Sequence, residues 1–209
     1  MSKVLVLNSS ALGGASVSKQ LADGAIAKLG AQDPHLQVVT RDIGATPVPH
    51  LTTDGATAIR GAEPANAAQA ATQALSNELI GELKAADTII IGAPMYNFGI
   101  PSTLKAWFDH VLRAGLTFSY SEKGPEGLVT GKRAIVILSR GGLYSEGPAQ
   151  SFDSQEPHLR TLLGFMGITD VTFVRAEKLA FGPEARDQAI GAAHAELGRV
   201  IEAGARKAA

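Results

Sequence analysis

The sequence predicts a three-layer α/β domain: a five-stranded parallel sheet in the order 2-1-3-4-5 with helices on both faces. Two observations lead there. Short apolar runs alternate with longer segments of 3.6-residue periodicity along the whole chain. The runs are apolar at successive positions, so the strands are expected to be covered on both sides, as in a parallel sheet between helix layers. The length of 209 residues fits one domain of about 150 residues with a modest extension. Residues 1–209 are therefore read as a single unit, with 116–130 as an insertion.

Val4 to Leu7, closed by Asn8-Ser9-Ser10, reads as the first strand. Ser16 or Ser18 can cap the helix that follows, with Ala22, Ala25, Ile26 and Leu29 facing inward. Leu36 to Thr40 is the second strand, and the Pro-, Gly- and Thr-rich stretch from Pro47 to about Pro64 reads as a long irregular connection. A helix is expected from about Asn66 to Ala86, with Ala71, Leu75, Leu79 and Leu83 on one side. The β-branched run Thr88 to Ile91, bounded by Gly92, is the third strand.

Pro101 suits the first turn of a helix whose apolar face is Leu104, Trp107, Phe108, Val111 and Leu112. Within 116–130, Thr117 to Tyr120 and Leu128-Val129 are expected to pair as a small hairpin or lid. Ala134 to Leu138 is the fourth strand. Leu159, Leu162, Leu163 and Met166 mark a helix, and Val171 to Val174 the fifth strand. Ile190, Ala193, Leu197 and Ile201 line the last helix.

Composition narrows the function. A net charge of −1 argues against a nucleic-acid partner, which would require a basic stripe. The absence of cysteine removes disulfides, thiolate nucleophiles and zinc–thiolate sites, and it favours a reducing compartment. The N-terminal apolar run is shorter than a signal h-region, and no stretch is long enough to span a membrane. A cytoplasmic enzyme or binding domain is expected, with no membrane partner. The five histidines show no metal-ligand spacing, so no metal is expected. Ser16-Val-Ser-Lys19 and Ser102-Thr-Leu-Lys105 match an acylating Ser-x-x-Lys, but the accompanying motifs are missing.

In an open parallel sheet, ligands bind beyond the carboxyl ends of the strands where strand order reverses. Three loops converge there in the predicted order. Ser9 to Ser18 offers four hydroxyls, two glycines and a helix N-terminus, an anion site built from neutral donors. Pro94-Met95-Tyr96-Asn97-Phe98-Gly99 places a thioether, two aromatics and an amide at a strand end. Ser139-Arg140-Gly141-Gly142 supplies amides free of side chains, able to meet the polar edge of a ring. Phosphate donors, an apolar platform and an amide edge together describe a site for flavin mononucleotide (FMN).

Several stretches carry a resemblance: Met1-Ser-Lys-Val-Leu-Val-Leu7, Ala93-Pro-Met-Tyr-Asn-Phe98, Arg113-Ala-Gly115, Gly124-Pro-Glu-Gly-Leu-Val-Thr-Gly131 and Ser139-Arg-Gly-Gly142. Through them the chain resembles, over nearly its full length, the FMN-dependent NADH azoreductases, flavodoxin-like flavoenzymes of the quinone-reductase group. The resemblance implies that Ser10, Ser16, Val17 and Ser18 hold the FMN phosphate. It also implies that Met95, Tyr96, Asn97 and Phe98, with Ser139, Arg140, Gly141 and Gly142, line the isoalloxazine. Electrons would come from NADH or NADPH, in a homodimer with each flavin near the subunit interface. After Gly142, where some members carry Ile-His, this chain has Leu143-Tyr144.

The expected activity is two-electron, ping-pong reduction of azo compounds and quinones, with no side-chain nucleophile and with Phe98 and Tyr120 walling the substrate slot. Two rivals are a flavodoxin-like electron carrier, which would usually show a strongly acidic face, and a phosphoester hydrolase, for which no base is evident.

Overall fold

Residues 2–61 and 63–208 are described by a computed structural model, with side chains through Gly204. The elements run β1 (Lys3–Asn8), α1 (Val17–Gln32), β2 (Gln37–Asp42), α2 (Thr53–Ala58), α3 (Ala67–Ala85), β3 (Thr88–Pro94), α4 (Ser102–Val111), β4 (Phe118–Ser121), β5 (Gly124–Gly127), β6 (Arg133–Ser139), α5 (Glu156–Phe165), β7 (Asp170–Ala176) and α6 (Pro183–Ala208). The main sheet is β2-β1-β3-β6-β7, parallel throughout, which is the predicted 2-1-3-4-5 order.

Alternation along each strand divides the core between the two faces. Leu5, Leu7, Ile89, Ile91 and Val136 pack with Leu79, Leu83, Trp107, Phe108 and Leu159, on the side of α3, α4 and α5. Val4, Val6, Ile90, Ile135 and Ile137 pack with Leu21, Ala25, Leu197 and Ile201, on the side of α1 and α6. No helix among the described residues is long and apolar enough to cross a membrane.

Four expectations are corrected. The strand β2 is not covered on both faces: Val38 and Val39 are 39% and 45% exposed, because β2 is an edge of the sheet. A short helix, α2, forms inside the stretch expected to be irregular. Thr52 caps it by accepting the Gly55 N–H at 3.2 Å, and six residues are too few for an apolar period to show. Arg113 ties this region together, donating to the Ile59 carbonyl, Ser76 Oγ and Asn77 Oδ1.

The inner side of α3 runs through Gln69, Ser76, Leu79, Ile80 and Leu83, and Ala71 is exposed. The hairpin pairs Phe118 with Gly127 and Ser121 with Gly124, so its second strand is β5 and not Leu128-Val129. Gly124, at φ 108°, turns the chain earlier than expected. Gly127 then lies against the turn after α5, where an added Cβ would come within 2.1 Å of the Gly167 nitrogen. Val129 is left to enter the core.

The register sets the site. Asn8 pairs with Gly92 and Pro94 with Ser139, so the loops after β1, β3 and β6 leave the sheet side by side.

Candidate functional site

The loop after β1 is held from both sides. Ser9 Oγ donates to the Gly92 carbonyl at 2.7 Å. Ser10 Oγ accepts the Leu12 N–H and lies 3.3 Å from the Tyr96 hydroxyl, which also accepts the Ala11 N–H at 3.0 Å. A 3-10 turn at Gly13–Ala15 delivers Ser16 as the N-cap of α1. Its Oγ accepts the Lys19 N–H at 3.2 Å and lies 3.1 Å from Ser18 Oγ. The first-turn amides of Val17 and Ser18 have no intrahelical partner, as at any helix start. Ser10, Ser16 and Ser18 are all buried. Neutral donors at the positive end of a helix suit a phosphate.

Gly44, which the sequence reading passed over, makes this loop possible. Its N–H donates to the Asn8 carbonyl at 3.1 Å, and a Cβ there would stand 2.0 Å from the Ser10 carbonyl oxygen.

In the loop after β3, Tyr96 and Gly99 exchange two backbone hydrogen bonds of 3.1 Å around Asn97 and Phe98. Both central residues have positive φ, 47° and 72°, as in a type I′ hairpin turn, where glycine is the usual second residue. Asparagine tolerates this conformation, whereas for phenylalanine it costs about 1–2 kcal/mol. The turn is braced by the Ser154 N–H, which donates to the Phe98 carbonyl at 3.1 Å. It presents Phe98 47% exposed, 5.7 Å from the Phe152 ring and 6.0 Å from that of Tyr144.

The third loop is joined to the second by the Met95 N–H, which donates to the Ser139 carbonyl at 2.9 Å. The carbonyls of Arg140, Gly141 and Gly142 are taken by the amides of Leu179, Ala180 and Lys178. The N–H groups of Gly141 and Gly142 stay free for a ligand among the described residues. A Cβ on Gly142 would sit 3.0–3.1 Å from the Tyr144 ring, so that ring closes over the glycine.

Two expected site residues lie elsewhere. Arg140 is 1% exposed. Its guanidinium reaches Gln155 Oε1 at 3.0 Å, Asp153 at 2.8 Å and Glu177 at 3.1 Å, because a buried cation is tolerable only when paired. It braces the site from below and does not line it. Tyr120 on β4 is 72% exposed. It stacks edge-on against Phe118, which packs on Phe165, and no ring contact joins it to Phe98 among the described residues. The rings that do meet Phe98, Phe152 and Tyr144, carry no local sequence signal.

Glu177 anchors the Tyr144 side of the site. Its Oε1 accepts the N–H groups of Tyr144 and Ser145 at 2.8 and 3.0 Å, and its Oε2 accepts the Ser145 hydroxyl. Burial pushes the Glu177 carboxyl up, but the Ser145, Tyr144 and Arg140 donors outweigh it and hold the group below the usual carboxylate range.

The three loops meet as one shelf at the carboxyl ends of β1, β3 and β6. A hollow of about 560 Å³ lies at the opposite end of the sheet beside Asp33, Asp87 and Arg133. It has no free helix-start amides and no aromatic platform, so volume alone does not make it the site. The shelf fits FMN: buried hydroxyls and helix-start amides suit the phosphate, the 95–98 segment offers a platform, and the Gly141-Gly142 amides offer an edge.

Comparison with known proteins gives the family. A family model describing a flavodoxin-like fold matches residues 2–201. A protein of Hyphomonas neptunium named FMN-dependent NADH:quinone oxidoreductase is 58% identical over 97% of this chain and 97% of its own. One of the same name from Ralstonia nicotianae is 50% identical over 95% and 97%. Among solved structures, an azoreductase from Bacillus anthracis superposes with a TM-score of 0.88 at 28% identity, covering 96% of this chain and 99% of the other. A second from that organism, described as an FMN-dependent NADH-azoreductase in complex with FMN, gives 0.87 at 25% identity over 97% and 98%. Fold and relatives coincide, and the chain belongs to the flavodoxin-like family that includes these FMN-dependent NADH:quinone oxidoreductases.

Proposed function

We infer that this chain is an FMN-dependent oxidoreductase that uses NADH to reduce quinones and azo compounds. The observation that carries this reading is the meeting of a neutral phosphate seat, a strained aromatic turn and two free glycine amides on one shelf. FMN, when bound, supplies the hydride chemistry, so no side-chain nucleophile is required. The chain contributes Ser10, Ser16, Val17 and Ser18 for the phosphate, and Met95 to Phe98 beneath the ring. The Gly141 and Gly142 amides steady charge on the ring edge, and Phe98 faces the incoming flat substrate.

The protein acts in the cytoplasm as a homodimer. The exposed Tyr120 supports the dimer, because Tyr120 can wall a substrate slot only from a second copy. Donor and acceptor use one slot in turn, a ping-pong cycle.

Apoprotein titrated with FMN, followed by initial rates against NADH at several fixed quinone concentrations, tests this reading. Parallel double-reciprocal lines are expected. Intersecting lines would refute the shared slot, and NADH oxidation indifferent to FMN would refute the assignment. In the same titration, Ser18→Ala should weaken FMN binding about ten- to a hundredfold, the range of one hydrogen bond to a charged group.

A further inference from the structure

The aromatic rings on the shelf are fixed from behind by one buried ionic bridge. Arg140 reaches Asp153 with one nitrogen and Glu177 with another, at 2.8 and 3.1 Å. Asp153 directly follows Phe152, and the next residue, Ser154, donates its N–H to the Phe98 carbonyl. Asp153 Oδ1 also accepts the N–H groups of Gln155 and Glu156 at the start of α5. This end of the bridge therefore holds the Phe98–Phe152 pair. The other end, Glu177, grips the backbone at Tyr144 and Ser145 and the Ser145 hydroxyl. The Tyr144 ring, so held, stands edge-on to Phe98 at 81° and close over Gly142.

We propose that Glu177 is a positioning residue for acceptor selection: through the Asp153–Arg140–Glu177 bridge it fixes the Tyr144 ring relative to Phe98 and Phe152, and so sets the width of the slot that admits a flat acceptor. The carboxylate touches neither the phosphate seat nor the 95–98 platform. It acts through the position of the Tyr144 wall relative to the Phe98 wall. With Glu177 intact, the slot favours thin, planar rings. When its hold on residues 144–145 is released, Tyr144 swings away from Phe98 and bulky acceptors lose their disadvantage.

This rests on the quinone-reductase reading, and the test separates the two. Wild-type protein with FMN is assayed first, and a lack of NADH-dependent quinone reduction would fail that reading alone. The bridge is then judged without turnover. The chain has three tyrosines, so 3-fluorotyrosine labelling gives three fluorine resonances, that of Tyr144 being assigned with Tyr144→Phe. In Glu177→Gln, with and without FMN, the Tyr144 resonance should move or broaden while those of Tyr96 and Tyr120 hold. The KM for 2,5-di-tert-butyl-1,4-benzoquinone, whose methyl groups stand out of the ring plane, relative to that for 1,4-benzoquinone should fall about two- to tenfold, the range of one edge-to-face ring contact. The dissociation constant for FMN should stay within about twofold.

Ser145→Ala, which removes one hydroxyl and no charge, carries the same readings in smaller measure should Glu177→Gln fail to fold. An unmoved Tyr144 resonance, or an unchanged KM ratio in folded, FMN-loaded variant, would overturn the proposal.

Discussion

Phe98 shows what a single position can be asked to do. A side chain that needs negative φ is held at 72° so that its ring stands out of the fold, next to Tyr144 and Phe152. Strain kept at such a place is common at functional sites. It makes a comparison of two truncations informative. Both Phe98→Ala and Phe98→Gly remove the ring, but only glycine also relieves the backbone. Phe98→Gly should thus be the more stable of the two by about 1 kcal/mol in urea unfolding, and both, having lost the ring on which flat acceptors stack, should turn over thin, planar quinones more slowly than the parent. Equal stabilities, or a more stable alanine variant, would remove the strain from the account.

At this scale the sequence was readable where the residues that the sheet brings together at the ends of β1, β3 and β6 lie in contiguous runs. The serines after β1, the Met95 to Phe98 segment and the paired glycines after β6 each announce themselves within ten residues. Phe152, Glu177 and Gly44 do not. Each acts on residues far along the chain, and a phenylalanine, a carboxylate or a glycine alone has no local mark of its partner. The buried role of the Arg140 side chain is hidden for the same reason: its neighbours are Ser139 and Gly141, but its partners are Asp153, Gln155 and Glu177.

Elements matter here through where they let backbones touch. The turn after β2 brings Gly44 under Ser10, closer than any side chain could follow. Gly44→Ala should therefore shift the phosphate loop as a body. We expect FMN affinity to fall about tenfold or more and stability to drop by about 1–3 kcal/mol, as for an overpacked core. FMN binding within about twofold of the parent in the same titration would show that the loop is free to give way. The Gly127–Gly167 contact plays the equivalent part for the β4–β5 hairpin, and it explains why a pattern of apolar residues placed that hairpin's second strand too late. Patterns of hydrophobicity locate strands that bury side chains. This strand buries almost none, and its position follows from turn geometry and from a bare backbone contact.

For the molecule as a whole, strand order was legible because short apolar runs alternate with helical segments and the crossover rule leaves few arrangements. What periodicity could not reveal was which strand would stand at the margin, since an edge strand and a central one begin with similar letters. That margin has a bearing on how the protein behaves at high concentration. Among the described residues β2 pairs with β1 alone, so its other flank at Val38 to Thr40 is an open sheet edge, with Val38 and Val39 partly bare. An edge of this kind is a template on which a misfolded or partly opened chain can grow. The cluster of Arg41 with Glu78 and Glu82 sits at its carboxyl end, and residues 38–40 are the stretch on which a foreign strand could add. Val39→Lys should delay the onset of light scattering on gentle heating without altering FMN affinity. A scattering onset identical to that of the parent would mean that aggregation starts from some other surface.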